Sequence, residues 1–249
     1  MELFIFILGM VSLYYIGGPL LVKQTMWIKR YNQLIPMSLE SLPLDVQPFF
    51  IQTGNGLLNL GFKPVKYFYN QGQTTHCNSH YSLWVNEASK DIVVIADILA
   101  DNGISKQRVP YIEFVTDFTD GSDINTNNSS QPSVFPKLPN KETFSLPDIY
   151  DPYTLYFIHN NMVQRYGKDK IKILPQQEQY EFYLHKSNLD ALEQREKIGY
   201  LYLDRKEDKY RPTLLGAYLM SWRIIWPINK IQLALMKKEA KVLVNQINK

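Results

Sequence analysis

The period of the hydrophobic positions changes along the chain, and each change marks a different kind of element. Residues 3–22, LFIFILGMVSLYYIGGPLLV, form an apolar run without a charge. About 20 such residues is the length a helix needs to cross the hydrocarbon core of a bilayer. The run therefore predicts a transmembrane helix. Two alternatives stay open. A cleaved signal peptide has a basic start and a small-residue cleavage site, whereas this chain starts Met-Glu-Leu and passes straight into Lys23-Gln24-Thr25. A buried core helix keeps a polar stripe, and here only Ser12 with a few Tyr and Gly could supply one.

Residues 31–43 are polar and punctuated by Pro36 and Pro43, and read as a linker. Leu44, Val46, Phe49, Phe50, Leu57, Leu58 and Leu60 then recur at helical spacing over 44–60, although Gly54 and Gly56 weaken a helix there. Gly61 is placed to cap its end. From Phe62 the period becomes two. Strands are predicted over 62–69, 80–87, 92–99 and 109–118. In the last of these Tyr111, Glu113, Val115 and Asp117 alternate with Ile112, Phe114, Thr116 and Phe118. The turn Thr119-Asp120-Gly121-Ser122 leads into a short strand over 123–126. Residues 127–149, with four prolines, read as a long exposed loop.

The remainder reads as helical. Asp151-Pro152 caps a helix over 153–166, which closes at Gly167. A long helix follows over 176–197, and 204–209 is a solvated turn. Segment 213–226, TLLGAYLMSWRIIW, is too short to span a bilayer at 1.5 Å per residue. It reads either as a helix lying in the membrane interface, with Trp222 and Trp226 at headgroup depth and Arg223 snorkelling, or as a core helix. Pro227 breaks it from a basic amphipathic tail.

The fold class that follows is α+β. It comprises an N-terminal transmembrane helix with its basic flank (1–30), the linker (31–43), a domain over 44–210 and an interfacial helical tail over 211–249. The domain is an antiparallel meander of four to five strands covered by helices. Lys23, Lys29 and Arg30 follow the apolar run and Glu2 precedes it. The positive-inside rule then places the N-terminus outside and the main domain in the cytoplasm of a single-pass membrane protein, with Trp27 as an interfacial anchor.

Charge and composition narrow the function classes. Lys and Arg number 27 against 24 Asp and Glu, which is not the footprint of a nucleic-acid binder. The single cysteine, Cys77, rules out a disulfide within the chain. Asn127 and Asn128 each begin an N-x-[ST] pattern, which matters only for a lumenal domain.

Two segments hold side chains with chemical potential. His76, Cys77 and His80 lie within five residues, but a zinc site needs three or four ligands and no second cluster supplies them. Cys77 beside a histidine could be a nucleophile with its base, yet no third group is placed to orient the pair. Asp117, Asp120, Asp123 and Asn125 offer oxygen ligands without an EF-hand's spacing, and Asp-Gly alone explains the turn. Phosphate-loop, dinucleotide, H-E-x-x-H and G-x-S-x-G motifs are all missing. The expectation is a membrane-anchored interaction, scaffold or regulatory domain without a cofactor, whose partners are the lipid bilayer and another protein. The alternative is a membrane-attached enzyme or lipid-handling protein that uses the sheet as a cup. Its mouth would lie at residues 70–80 or 117–127, so a deep pocket holding His76, His80 or Asp117 would favour it.

Overall fold

The computed structural model describes residues 2, 9, 12–101 and 106–247. Among them, eleven strands join in one mixed sheet. Its central band is β3 (Lys63–Thr74), β4 (Cys77–Asn86), β5 (Asp91–Asp101) and β6 (Lys106–Phe118), joined in sequence as antiparallel neighbours. β7 (Asp123–Asn127) continues antiparallel from β6, and β8 (Lys141–Ser145) pairs with β7 in parallel. On the other side β1 (Ile28–Lys29) pairs with β3 and with β11 (Lys209–Pro212), and β11 carries β10 (Leu201–Asp204). β2 (Leu34–Met37) pairs with β3, and β9 (Lys172–Ile173) with β6.

The expected meander of four to five strands is therefore too small and too uniform: the sheet has eleven strands and is mixed. The predicted strands form the central band and β7. The others escape a sequence reading because they run only two to five residues. Such pieces show too few alternations to declare a period. β8 lies inside the proline-rich stretch that reads as a loop. The turn expected over 204–209 is the hairpin between β10 and β11.

Strand alternation gives the central band two different faces. Ile112, Phe114 and Phe118 of β6, Trp84 of β4 and Val93 and Ile95 of β5 point to the first face. It is covered by α2 (Gln47–Asn59), α3 (Pro152–Tyr166) and the end of α6 (Ile228–Ile247) through Phe50, Leu57, Leu155, Ile158 and Ala240. Each large side chain buried there contributes roughly 1.5–3 kcal/mol. Close approach explains Gly56 in α2, since a Cβ there would lie 2.5 Å from the Pro152 ring. α3 starts as its sequence requires: Asp151 caps it by accepting from the Thr154 N–H at 2.8 Å.

The second face carries Phe68, Leu83, Val85, Ile92, Val94 and Val115, packed against Tyr180, Tyr183 and Leu184 of α4 (Tyr180–Lys197). A third cluster, with Ile28, Leu192, Leu201, Tyr210 and Met220, joins the β1–β11–β10 side of the sheet to α4, α1 (Gly18–Thr25) and α5 (Leu214–Ile224).

The predicted membrane anchor is overturned. Among the described residues no helix is long and apolar enough to cross a membrane. Of the apolar run 3–22, residues 3–8, 10 and 11 lie outside the described residues. The rest is a π-helical turn over Leu13–Gly17 and the eight-residue α1, about 12 Å long at 1.5 Å per residue. Part of this segment packs against protein. Val22 and Met26 pack in the third cluster, α1 lies against α5, and the Tyr15 hydroxyl donates to the Trp226 carbonyl at 2.9 Å. The basic flank is also part of the fold, because Lys29 is in β1 and Arg30 pairs with Asp208 at 3.5 Å. The single-pass membrane localisation, with N-terminus outside and a cytoplasmic domain, rested on that anchor and is corrected with it.

Candidate functional site

Beyond its apolar half, the second face turns polar, and β6, β7 and β8 set the pattern. The register pairs Asp117 with Asp123, Val115 with Asn125 and Glu113 with Asn127. β8 adds Lys141 opposite Asp123. Residues paired directly across two strands share a face, so Glu113, Asp117, Asp123, Asn125, Asn127 and Lys141 form one polar floor. α4 crosses above it and brings Tyr183, Lys186, Ser187 and Asp190. Between floor and helix is a cavity of about 570 Å³, lined by Asp117, Asp123 and Lys141 below and by those α4 residues above.

The donors of the floor are directed at its carboxylates. Lys141 Nζ lies 2.7 Å from Asp123, and Asn125 Nδ2 donates to Asp123 at 2.8 Å. The Tyr183 hydroxyl lies beside Asp117 and the Tyr111 hydroxyl beside Glu113, and each favours the charged carboxylate. Asn127 Nδ2 lies 3.5 Å from Glu113. The Asn125 carbonyl oxygen is buried without a hydrogen-bond partner.

Burial dominates the electrostatics. It pushes the Asp117 carboxyl above the usual range; the neighbouring Tyr183 hydroxyl opposes the rise, and repulsion from Asp123 adds to it. Burial likewise raises Asp123 in spite of Lys141, and Glu113 in spite of Tyr111. Tyr183 is driven well above its ordinary value by burial and by Asp117. Asp117 and Asp123, whose buried surroundings raise their pKa, line the cavity and can accept hydrogen bonds from a bound molecule.

Asp120 does not join them. It stands at the exposed turn, where hydrogen bonds from the Ser122 hydroxyl and N–H hold its carboxyl down at about 2. The D-x-x-D-G-x-D pattern thus splits into two strand residues on the floor and one turn residue.

The His76–His80 segment is divided by the same alternation. His76 forms the tight turn between β3 and β4, with φ of 58°, and its carbonyl accepts from the Asp101 N–H at 2.9 Å. Cys77 points to the second face, where burial raises its thiol and Ser79 lies 4.0 Å away. His80, three residues on, points to the first face. Its ring lies tilted against Tyr69 with centroids 5.2 Å apart and stands 3.8 Å from Asp97. The Cys77–His80 pair is therefore not formed. Among the described residues no group of three His, Cys, Asp or Glu side chains is placed to hold a metal ion.

The candidate membrane-contact residues lie elsewhere. Trp27 is half-buried with Lys209 Nζ 4.6 Å above its ring. Arg223 does not reach outward, since its guanidinium donates to the Ser133 and Phe135 carbonyls. Trp222 and Trp226 are 46% and 66% exposed. Asn127 and Asn128, the N-x-[ST] asparagines, are buried.

A second polar network, on the first face, carries no motif in the sequence. Thr116 donates to Asp91 at 2.6 Å, so it must accept from His159 Nε2 at 2.9 Å. His159 Nδ1 is then the acceptor for the Thr126 hydroxyl at 3.1 Å. Tyr156 and Lys172 complete the shell of Asp91. Asp91, Thr116, Thr126 and His159 have no solvent exposure. Burial lowers the His159 pKa to about 4, so the ring is neutral. This network ties α3 to three strands, β5, β6 and β7.

No protein-family model, no curated protein and no solved structure matches the chain.

Proposed function

We propose that this protein binds a small polar molecule in the cavity between α4 and the β6–β7–β8 floor. The observation that carries the reading is the coincidence of a cavity of about 570 Å³ with two cross-strand carboxyl groups, Asp117 and Asp123, whose buried surroundings raise their pKa. Burying carboxyl groups costs stability, and a fold that holds them around an open space has a use for that space. The cavity lies at the 117–127 mouth rather than at 70–80. The cup reading thus gains support, without its membrane attachment.

Its test is a thermal-shift screen of the full chain against small polar compounds, repeated on Ser187→Trp, which fills the cavity from α4. Compounds that stabilise the wild type should lose their effect on the filled variant. A wild type that responds to nothing, or shifts that survive the filling, would count against the cavity.

The helical end favours a second reading, an interaction module. Leu20, Leu21, Leu214, Leu215, Trp222 and Trp226 are all exposed on or beside the packed pair α1 and α5. Exposed apolar surface of this kind marks contact with a partner. Sedimentation velocity and vesicle co-sedimentation of the full chain would test protein and lipid partners in turn. Replacing both Trp222 and Trp226 with Ser should reduce one of the two, and no change in either would refute the reading.

A further inference from the structure

We infer that the free end of the α1–α5 pair docks on an anionic lipid surface, lying on it rather than spanning it. The inference rests on the interaction reading of the helical end and names its partner.

The topology exposes that end. α1 runs into β1 and α5 leaves β11, and these strands pair at Ile28 and Tyr210. The two helices therefore meet the sheet side by side, packed against each other. At their other end the Tyr15 hydroxyl meets the Trp226 carbonyl. Pro19, Gly216, Ala217 and Met220 are buried along the pair, whereas the side chains at its free end are large and uncovered. Leu13, Tyr14 and Ile16 on one arm and Ile224 and Trp226 on the other are each more than half exposed. The sequence before Leu13 is uncharged back to Leu3. Between Arg211 and Lys230 the only charged residue is Arg223, and its guanidinium is taken up by the Ser133 and Phe135 carbonyls. The free end is thus apolar and aromatic without a charge of its own.

Charge around it decides between occupants. Residues 3–39 and 209–238, which supply both arms and the start of α6, contain no Asp or Glu, while Lys and Arg recur in both. Lys29, Arg30, Lys209, Arg211 and Lys237 have partners in the protein. Lys23, Lys230 and Lys238 are exposed, with no acidic partner among the described residues. Lys230 stands one turn past Trp226, next to the exposed Ile231. A second copy seated on this end would bring the same lysines together with no carboxylate to answer them. An anionic bilayer answers both features at once. Its acyl boundary takes the leucines and isoleucines, the headgroup depth suits Tyr14, Trp222 and Trp226, and the phosphates meet the lysines.

Co-sedimentation of the full chain with vesicles of phosphatidylcholine, and with vesicles of equal parts phosphatidylcholine and phosphatidylglycerol, tests the inference. The mixed vesicles should bind at least tenfold more tightly, and added salt should narrow the difference. Trp222→Ser with Trp226→Ser should weaken binding to the mixed vesicles roughly tenfold or more. Lys23→Gln, Lys230→Gln and Lys238→Gln together should remove the preference for anionic lipid. All five positions are exposed, and the emission of Trp84, 3% exposed in the first face, checks that the variants keep their fold. Equal binding to both vesicles, or binding that neither set of variants alters, would overturn the inference. So would a full chain that ignores vesicles. If that chain instead self-associates in sedimentation velocity, and Trp222→Ser with Trp226→Ser abolishes the association, the interaction reading stands with a second copy as its partner. If it does neither, the interaction reading falls as well.

Discussion

His159 should make the protein acid-labile in a window that its own pKa defines. The ring is buried and neutral, with Nε2–H donating to Thr116 and Nδ1 accepting from Thr126. Desolvation lowers its pKa to about 4 from an ordinary 6.5, and Lys172 adds to the depression while Asp91 opposes it. Protonating Nδ1 would turn an acceptor into a donor and force Thr126 to reverse its hydroxyl. The sign follows from proton binding. Between these two pKa values the unfolded chain holds a proton that the folded chain does not, so stability rises with pH. The contribution is fully present above pH 6.5 and is lost as pH falls toward 4. With these values the loss is about 2 kcal/mol at pH 5 and about 3 kcal/mol at pH 4.

The assay is urea unfolding of the wild type and of His159→Gln at pH 7, 6, 5 and 4, read as the midpoint at constant m. At pH 7 the variant should be the weaker by about 1–3 kcal/mol, because a buried threonine hydroxyl loses its partner. On acidification the gap should close by about 2 kcal/mol at pH 5, since glutamine has no proton to gain. Comparing the two proteins cancels the shifts of Glu113, Asp117 and Asp123, which act in both. An offset that stays constant from pH 7 to pH 4 would refute the buried, neutral histidine.

Asp117→Asn should stabilise the ligand-free protein at alkaline pH and leave it unchanged at low pH. The folded carboxyl pKa is raised, so its contribution is present below the unfolded value and lost as pH rises through the folded one; a thermal melt at pH 8 that shows a clear loss would contradict this. Gly216→Ala should destabilise by about 1–3 kcal/mol or more, because a Cβ there would run into the Tyr200 carbonyl oxygen; chemical denaturation reads it directly. Thr213→Ala should cost about 1 kcal/mol, since the Thr213 hydroxyl accepts from the Gly216 N–H at 2.9 Å to cap α5 and donates to the Gly199 carbonyl; an unchanged denaturation midpoint would remove the cap from the account. Cys77 should react slowly with a thiol reagent at pH 7, its thiol raised by burial; a rate matching a free thiol would place it outside the sheet's shelter.

The sequence shows this fold where the pattern is long and conceals it where pairing is distant. β3 to β6 each run ten residues or more, and their alternation is visible. Pairings such as β1 with β11 join segments far apart in the chain and too short to carry a period, and β8 is hidden in a proline-rich stretch. The apolar run misleads for a related reason. Hydrophobicity records that a side chain avoids water, and a bilayer and a protein partner satisfy that equally. Val22 and Met26 pack against a cluster most of whose members, Leu192 to Met220, lie far along the chain; no local signal distinguishes that from lipid.

The floor of the cavity is half legible for the same physical reason. Tyr111, Glu113, Val115 and Asp117 alternate visibly, and that period alone puts two carboxyl groups on one face of the strand. The Asp-Gly turn at 120–121 predicts a tight hairpin, so Asp123 has to return near Asp117, and Asp120 has to stand apart at the bend. What sequence cannot supply is the ceiling. α4 is polar along its exposed face, and Tyr183, Lys186 and Asp190 look like ordinary surface residues until the helix is laid over β6 and β7. The same holds for His159, which reads as one more position in a capped helix until Asp91, Thr116 and Thr126 converge on it from three strands. A buried acidic residue on a strand is visible in sequence only as an interruption of apolar rhythm. Whether it closes into a network like that of Asp91 or faces an open space like Asp117 depends on what packs above it. In this chain the two outcomes lie on opposite faces of one strand, β6, at adjacent residues Thr116 and Asp117. One face uses its polar groups to hold the fold together, and the other keeps acceptors open toward a cavity.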